Sequence, residues 1–289
     1  MTSRGLDHVV HAVRDLEAAA DAYRRFGFQV GARNQHPWGT HNRLVQFPGF
    51  FLEILAVGEP AKIVATTQTA FSFGGFNRDF LATVGEGLSC MVVEGHDPAA
   101  EKTVFDAAGF GGFDLLNFSR KGKRADGSET EVGFSIAFAR DPVSPHAGFF
   151  TCKQTHPENF WSADLQRHEN GAQSIGACVL VAENPTDHHI FLEALIGVRD
   201  VRATSLGLHV STPRGDVLAL DPRAFRDSYG VEPPIDSGLR LAALSFVVTD
   251  VGPVRALLQR SAVAHSLHRD KLVVGPNAAH GATIVFEAS

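Results

Sequence analysis

One pattern occurs four times along the 289-residue chain. Each copy opens with a short apolar run, passes an Asp or Asn and a helix-forming segment, and continues into further apolar runs. The copies begin at Leu6, Leu88, Gly176 and Leu241. In the first two copies, the Asp and the Gly that ends the helical segment are twelve residues apart. Repeats of this length indicate stacked or paired copies of one supersecondary unit. Four copies therefore predict two pairs.

The first copy shows how its residues encode these elements. The run from Leu6 to Val13 is short and rich in β-branched residues, which favours a strand over a helix. Asp15 is a typical N-cap, strong helix formers follow it, and Gly27 is a stop signal. Two further apolar runs, residues 42–47 and 50–57, are separated by a Pro-Gly turn. The copy therefore predicts a strand, a helix and then more strands.

Composition and charge limit the class of protein. Hydrophobic residues make up 44% of the chain and charged residues 20%, as in ordinary globular proteins, and the length predicts about two domains. A net charge of −6 argues against nucleic acid as a partner, because phosphate binding requires a basic surface. The one dense basic run, residues 120–124, is followed by the hairpin signal Asp126-Gly127. We interpret this run as a solvated loop.

The ends and the cysteines bear on location. The first residues do not resemble a signal peptide, and no apolar run approaches the length needed to span a bilayer. Cys90, Cys152 and Cys178 lie inside apolar runs and lack paired-thiol spacing, which is typical of buried free thiols in a reducing compartment. We therefore expect a cytoplasmic protein with no membrane partner.

Several motifs together resemble one superfamily. The Leu-Asp-His-Val opening at Leu6, the Gly-Phe pair at Gly27 and the Leu-Glu pair ending at Glu53 resemble the vicinal-oxygen-chelate superfamily of glyoxalases, bleomycin-resistance proteins and extradiol dioxygenases. The His-Pro-Trp-Gly-Thr-His-Asn stretch at His36, with later stretches at residues 155–158 and 168–172, looks like its two-domain, glyoxalase-like branch. The resemblance covers essentially the whole chain.

The resemblance implies a fold and a domain division. The fold would be α+β, with four βαβββ modules paired into two half-open curved mixed sheets and the helices on the outside. Residues 1–170 would form an N-terminal glyoxalase-like domain from modules 1 and 2 with the candidate cavity. Residues 171–289 would form a C-terminal glyoxalase-like domain from modules 3 and 4. Because this fold supports many reactions, it does not identify one.

The resemblance also suggests half of a metal site. Superfamily ligands project inward from the first and last strands of a module, and His8 and Glu53 match two of them. Imidazole and carboxylate suit a divalent ion such as Zn, Mn, Fe, Ni or Mg. Cys152, Gln154 or His156 could complete the site. In the alternative, His8 is a hydrogen-bonded cavity histidine and Glu53 is its partner.

The remaining modules depart from the ligand pattern. Aligning the second module on the first places Cys90 opposite His8 and Cys152 opposite Glu53. The corresponding positions of modules 3 and 4 hold Ala177, Leu218, Ala243 and Val285. The C-terminal pair therefore lacks a metal site. This argues against an extradiol dioxygenase, whose iron needs two histidines and a carboxylate.

A polar loop before the apolar run at residues 42–47 is the clearest binding signal. His36, Trp38, Thr40 and Asn42 converge there with a second imidazole, and Gly39 permits close backbone approach to a ligand. Loops with so many hydrogen-bonding groups often bind ligands, with Trp38 here as a stacking wall. The alternative is that Thr40 and Asn42 only satisfy backbone groups of a turn.

The end of the second module supplies two more candidates. Gln154 is a predicted substrate contact, and His156 is a candidate general base whose imidazole a neighbouring carboxylate could orient. The stretch from His168 could form the far wall of the same cavity. In the alternative reading for His156, Pro157 is the first residue of a short helix.

Two function hypotheses follow. In the first, the protein is a lyase- or isomerase-type enzyme that binds a small oxygenated metabolite in the N-terminal cavity, with His8 and Glu53 holding a metal or serving as acid and base. In the second, it is a non-catalytic small-molecule binding or sequestering protein of the bleomycin-resistance type. Near-stoichiometric metal would favour the first. Four modules in one chain predict a monomer or a homodimer.

Overall fold

The computed structural model describes residues 2–123 and 129–289 and has an α+β fold. The strands are β1 Leu6–Ala12, β2 Asn34–Gln35, β3 Thr40–Phe47, β4 Phe50–Val57, β5 Gly87–Glu94, β6 Leu116–Lys123, β7 Glu129–Ala139, β8 Gly148–Thr155, β9 Ser174–Val181, β10 Arg202–Thr204, β11 Gly207–Ser211, β12 Asp216–Leu220, β13 Arg240–Val248, β14 Ser266–His268, β15 Lys271–Val274 and β16 Thr283–Ala288. The helices are α1 Leu16–Arg25, α2 Phe73–Thr83, α3 Pro98–Ala107, α4 His189–Ile196, α5 Pro222–Tyr229 and α6 Val251–Arg260.

Helix boundaries follow the predicted capping residues. Asp15 accepts hydrogen bonds from the backbone N–H groups of the first turn of α1, and Asp97 and Asp250 cap α3 and α6 in the same way. Gly27 has φ +85°, a left-handed conformation that ends the first helical segment at little cost. The sequence predicts the helix after β4 over residues 77–84, but α2 begins four residues earlier because Ser72 caps it.

The strands form two sheets of the same design. The first has the order β2-β3-β4-β1-β5-β8-β7-β6, and the second has the order β10-β11-β12-β9-β13-β16-β15-β14. Within each module the first strand pairs parallel with the last, which requires a crossover helix between them. The first strands of two modules pair antiparallel at the centre of each sheet. The predicted pairing of four βαβββ modules is confirmed.

The two sheets share one hydrophobic core. Buried residues of α1, α3, α4 and α6 join the facing sides of both sheets in a single cluster. Phe28 of the first half lies 5.0 Å from Phe246 and 5.6 Å from Phe286 of the second, ring centre to ring centre. The four module helices therefore lie on one face of their sheets, and the opposite faces are available for other contacts.

The opposite faces of the two sheets differ. In the second sheet, α5 packs Phe225 and Tyr229 against Val179 and its neighbours, forming a separate apolar cluster. In the first sheet, α2 covers one part of the face with Phe73 and leaves a cavity beside it. No helix in the described ranges is long and apolar enough to cross a membrane. All three cysteines are buried free thiols, as predicted.

The basic run was predicted wrongly. Residues 120–123 belong to β6, whose pairing with β7 makes them part of the sheet edge and not a solvated loop. The predicted Asp126-Gly127 turn lies outside the described residues.

Candidate functional site

The cavity of the first sheet is bounded mainly by aromatic rings. The space between its walls, counted with the open mouth, is about 600 Å³. The ring residues that line it are Trp38, Phe51, Phe73, Phe118, Phe134, Phe138, Phe150 and Phe160. Its polar lining consists of His8, His36, Asn42, Glu53 and Arg120. A mostly apolar pocket with a few convergent polar groups is the usual form of a small-molecule site.

The predicted polar loop folds onto the cavity. The His36 ring stacks on Trp38 with centroids 4.7 Å apart and an interplanar angle of 15°. Its Nδ1 lies 2.9 Å from Oγ1 of Thr40. Burial lowers the pKa of His36, and the nearby Glu53 carboxylate opposes this effect. His36 and Trp38 thus form a flat wall, whereas Thr40 holds the imidazole from behind.

Glu53 is a buried carboxylate among these rings. It is 4% exposed, and Nδ2 of Asn42 donates to its Oε1 at 2.5 Å. Nε2 of His36 lies 3.7 Å from the same oxygen. Two buried polar atoms of lining residues, Nε1 of Trp38 and Oδ1 of Asn42, have no hydrogen-bond partner in the described part of the chain.

His8 is oriented by the residue before it. Nδ1 of His8 lies 2.5 Å from Oδ1 of Asp7, and Nε2 of Gln154 donates to the other Asp7 oxygen at 3.1 Å. Adjacent side chains in a regular strand point to opposite faces, but the register of β1 against β5 shifts between Leu6 and His8. This bulge lets the two side chains meet. Because the carboxylate accepts from Nδ1, Nε2 of His8 is left without a partner among the described residues.

Arg120 is a cavity residue that sequence reasoning missed. It lines the cavity from β6, and burial lowers the pKa of its guanidinium while the Glu53 carboxylate raises it. No carboxylate of the described residues forms an ion pair with it. The alternation of Leu116, Phe118 and Arg120, all lining the cavity, is the period of a strand, and this signal could have identified the residue.

The residues do not fit a metal site. His8 and Glu53 both line the cavity, but no group of three or more His, Cys, Asp or Glu side chains suitable for a metal occurs within the described ranges. Burial and the carboxylates of Asp7, Glu53 and Glu101 raise the pKa of Cys152 well above its usual range, so it remains a thiol. The predicted half-site is not completed.

The structure separates the other predicted residues from the cavity surface. Gln154 contacts Asp7 and so acts on His8 indirectly. The side chain of His156 is 54% exposed and does not line the cavity. Pro157 follows it as the first residue of a short 3₁₀ helix, which is the alternative given for this stretch.

The segment between β8 and β9, residues 156–173, is the linker between the two halves. It contributes to the cavity through a residue that was not predicted. Phe160 lines the cavity, and its segment is held by Gln46, whose Nε2 donates to the carbonyl oxygen of Phe160 and whose Oε1 accepts from the N–H of Ser162. His168 does not form the far wall that was predicted, because its Nδ1 accepts from the N–H of Gln29 on the side of the shared core.

The pairing of the first and last strands in each module corrects the predicted alignment of the second module on the first. In the first module, Glu53 pairs with the residue two places after His8. In the second module, the residue two places after Cys90 pairs with Phe150. If Cys90 corresponds to His8, then Phe150 and not Cys152 corresponds to Glu53. The conclusion that the second module lacks these ligands is unchanged.

Solved structures share this fold. A hypothetical protein from Staphylococcus aureus is 10% identical, with a TM-score of 0.66 over 99% of this chain and 100% of that one. A mutant of 4-hydroxymandelate synthase from Streptomyces coelicolor is 9% identical, with a TM-score of 0.60 over 100% of this chain and 94% of that one. At these identities the likeness shows the fold alone.

A third structure is longer. A xylose isomerase-like TIM barrel/4-hydroxyphenylpyruvate dioxygenase fusion protein is 14% identical, with a TM-score of 0.52 over 92% of this chain and only 40% of its own length. No curated protein matches the chain.

The sequence itself matches one family. The glyoxalase-like domain matches residues 6–196, which is more than half of the chain. This match and the module pairing confirm the resemblance to the vicinal-oxygen-chelate superfamily. The chain belongs to the glyoxalase-like domain family.

Proposed function

We propose that the protein is a glyoxalase-like enzyme of the lyase or isomerase type. It binds a small oxygenated molecule in the cavity of the first sheet and transfers a proton at a carbon next to a carbonyl group. The observation that carries this proposal is the Glu53 carboxylate, buried at 4% exposure in a cavity walled by aromatic rings. A buried carboxylate without a contacting cation is costly, and such groups concentrate at functional sites.

The groups around Glu53 have complementary roles. Glu53 takes the proton from the carbon, and the C–H electron pair moves into an enolate whose oxygen is stabilised by the Arg120 guanidinium. In an isomerase, the proton of the adjacent hydroxyl passes to the enolate oxygen and the carboxylic acid returns its own proton to the former carbonyl carbon. In a lyase, the enolate electron pair expels a leaving group from the β-carbon, and that group takes the proton from Glu53. His8, held through Nδ1 by Asp7, presents Nε2 to a substrate hydroxyl.

Hydrogen exchange tests this proposal before the substrate is known. In deuterated water, NMR would follow deuterium entering the carbon next to the carbonyl of hydroxyacetone and of hydroxyacetophenone. We expect Glu53→Gln, which keeps the shape of the side chain, to lower the exchange rate by about 100-fold or more, as for loss of a general base. An equal rate in wild type and Glu53→Gln would contradict the proposal.

Two matched variants control for surface effects. Glu158→Gln removes an exposed carboxylate, and His156→Gln removes the exposed imidazole beside it. Both variants should exchange at the wild-type rate, because neither residue lines the cavity. A loss of exchange in His156→Gln would instead identify His156 as the general base.

The aromatic walls favour a second candidate, a non-catalytic binding protein. Phe160 from the linker adds another ring to the lining and the apolar lining dominates, which would retain a ligand without chemistry. In that case ligands should bind to wild type and Glu53→Gln alike, and neither should promote exchange.

A further inference from the structure

We propose that this cavity selects a neutral, planar aromatic molecule whose polar edge both accepts and donates a hydrogen bond. The inference deepens the proposed function and rests on it only in using the same cavity. Ring geometry, two unpartnered atoms and the balance of charge support it separately.

The walls present ring faces and edges at stacking distances. Trp38, already stacked on His36, meets Phe118 edge-on, with centroids 4.8 Å apart at 84°. Phe118 in turn stacks on Phe134 at 5.0 Å and 25°. Aromatic pairs favour these offset and T-shaped arrangements over undirected apolar contact. A flat ring can extend such a set, whereas a puckered saturated ring of similar size cannot.

Two buried atoms of the lining lack partners and complement one kind of ligand group. Nε1 of Trp38 can only donate, and Oδ1 of Asn42 can only accept. Asn42 is 5% exposed and its Nδ2 is already committed to Glu53. Buried polar groups in proteins are normally hydrogen-bonded. A ligand whose polar edge has both capacities can accept from an indole N–H and donate to an amide oxygen, so it would satisfy both atoms.

The charges of the cavity point to a ligand without net charge. Glu53 and Arg120 are opposite in sign and both line the space. They influence each other electrostatically, yet no ion pair joins them. A neutral ligand leaves this pair balanced. A carboxylate or an ammonium group would add an uncompensated charge to an apolar space, which is unfavourable.

Four probes with the same number of carbon atoms test the inference on the full chain: benzyl alcohol, toluene, benzoate and cyclohexylmethanol. Dissociation constants would be measured by ligand-observed NMR. We expect benzyl alcohol to bind about tenfold more tightly than toluene and benzoate, consistent with one or two net hydrogen bonds. It should also bind about tenfold more tightly than cyclohexylmethanol, which keeps the hydroxyl but cannot stack.

A pair of tryptophan variants locates the interaction. Trp38→Phe keeps a ring but removes the N–H, and should weaken benzyl alcohol about fivefold while leaving toluene unchanged. Trp161→Phe is the control, since Trp161 does not line the cavity; both probes should bind it as they bind wild type. Circular dichroism would establish that each variant is folded.

The remaining outcomes are decisive. Tighter binding of benzoate or of cyclohexylmethanol, equal binding of toluene, or no binding of any probe would overturn the inference. Tight binding of benzyl alcohol without carbon-bound hydrogen exchange would support the inference and count against the enzyme. Exchange confined to charged or aliphatic substrates would support the enzyme and count against the inference.

Discussion

The two sheets of this protein have the same strand order, but the first has a cavity with polar groups on one face and the second has an apolar cluster on the same face. Their ladders correspond position by position: Val10 pairs with Glu53 in the first sheet, and Val179 pairs with Leu218 in the second. The second sheet covers this face with α5, and Phe225 is fully buried there. The first leaves a cavity between α2 and the β6–β7 edge.

The difference shows what decides a site on this fold. Topology supplies a curved surface, but a carboxylate or a leucine at one ladder position decides whether that surface can be polar. One helix that carries large aromatic side chains is enough to fill the surface. Function is therefore located by side chains and not by the shared architecture.

The largest expected effect comes from separating the two halves. A fragment of residues 1–170 would expose Phe28 and Phe47, which pack on Phe246 in the shared core. We expect the fragment to be insoluble or partly unfolded, seen as poorly dispersed amide signals in NMR. A well-folded fragment would show that the two domains predicted to divide at residue 170 are independent.

Removing a ring from each sheet should give unequal losses. Phe225→Ala empties a fully packed position and should lower the free energy of unfolding by about 3–5 kcal/mol. Phe118→Ala, at the wall of an existing cavity, should cost about 1 kcal/mol because fewer packing contacts are lost. Urea denaturation measures both changes. Equal losses would mean that the cavity wall of the first sheet is packed as tightly as the apolar cluster of the second sheet.

Acid should weaken the contact between the two halves that His11 makes with His280. His11 is fully buried; its Nε2–H donates to the carbonyl oxygen of His280, and its Nδ1 accepts from the hydroxyl of Tyr23. Burial lowers its pKa from 6.5 to about 4. The unfolded chain therefore binds the proton first, so stability is complete above pH 6.5 and falls as pH drops toward 4. The loss should reach about 2–3 kcal/mol.

The comparison variant for this pH effect is His11→Gln. Denaturation at a series of pH values should show a smaller slope between pH 6.5 and 4 in His11→Gln than in wild type. His189→Gln, at an exposed position, should keep the wild-type slope. An unchanged slope in His11→Gln would assign the acid sensitivity to other groups.

The smallest expected effect is that of divalent metal. Because no third ligand joins His8 and Glu53 in the described chain, excess Zn²⁺ or Mn²⁺ should raise the melting temperature by less than about 1 °C, as for a ligand that hardly binds. Calorimetry on wild type and Glu53→Ala measures this. A rise of several degrees that is lost in Glu53→Ala would establish a metal centre in the first sheet.

Local signals in the sequence predicted the elements and the pairing of the modules, and the resemblance to the superfamily supplied the shape of the sheets. Helix caps such as Asp15, the stop at Gly27 and the period-two apolar runs each report on a few neighbouring residues, and their fourfold repetition determines the module pairing. His8 and Glu53 were predicted from the resemblance to the superfamily's ligand positions, and His36 was predicted from the polar composition of its loop.

The rest of the site depends on contacts between distant segments. The strand period of Leu116, Phe118 and Arg120 groups these residues on one face, but it does not indicate that β6 lies beside the cavity of the first module. Asp7 meets His8 only through a bulge. His156 was overvalued because its sequence position at the end of β8 gave no sign that its side chain is exposed. Local periodicity cannot report such placements.

Phe160 gives the connecting segment a second role. The segment that leaves β8 is both the connection to the second half and one wall of the cavity, because Phe160 lines the cavity and Gln46 of β3 holds it there. Cutting the chain before Pro157 would therefore remove this wall together with the second half, whereas cutting it after Ser162 would leave the wall in place.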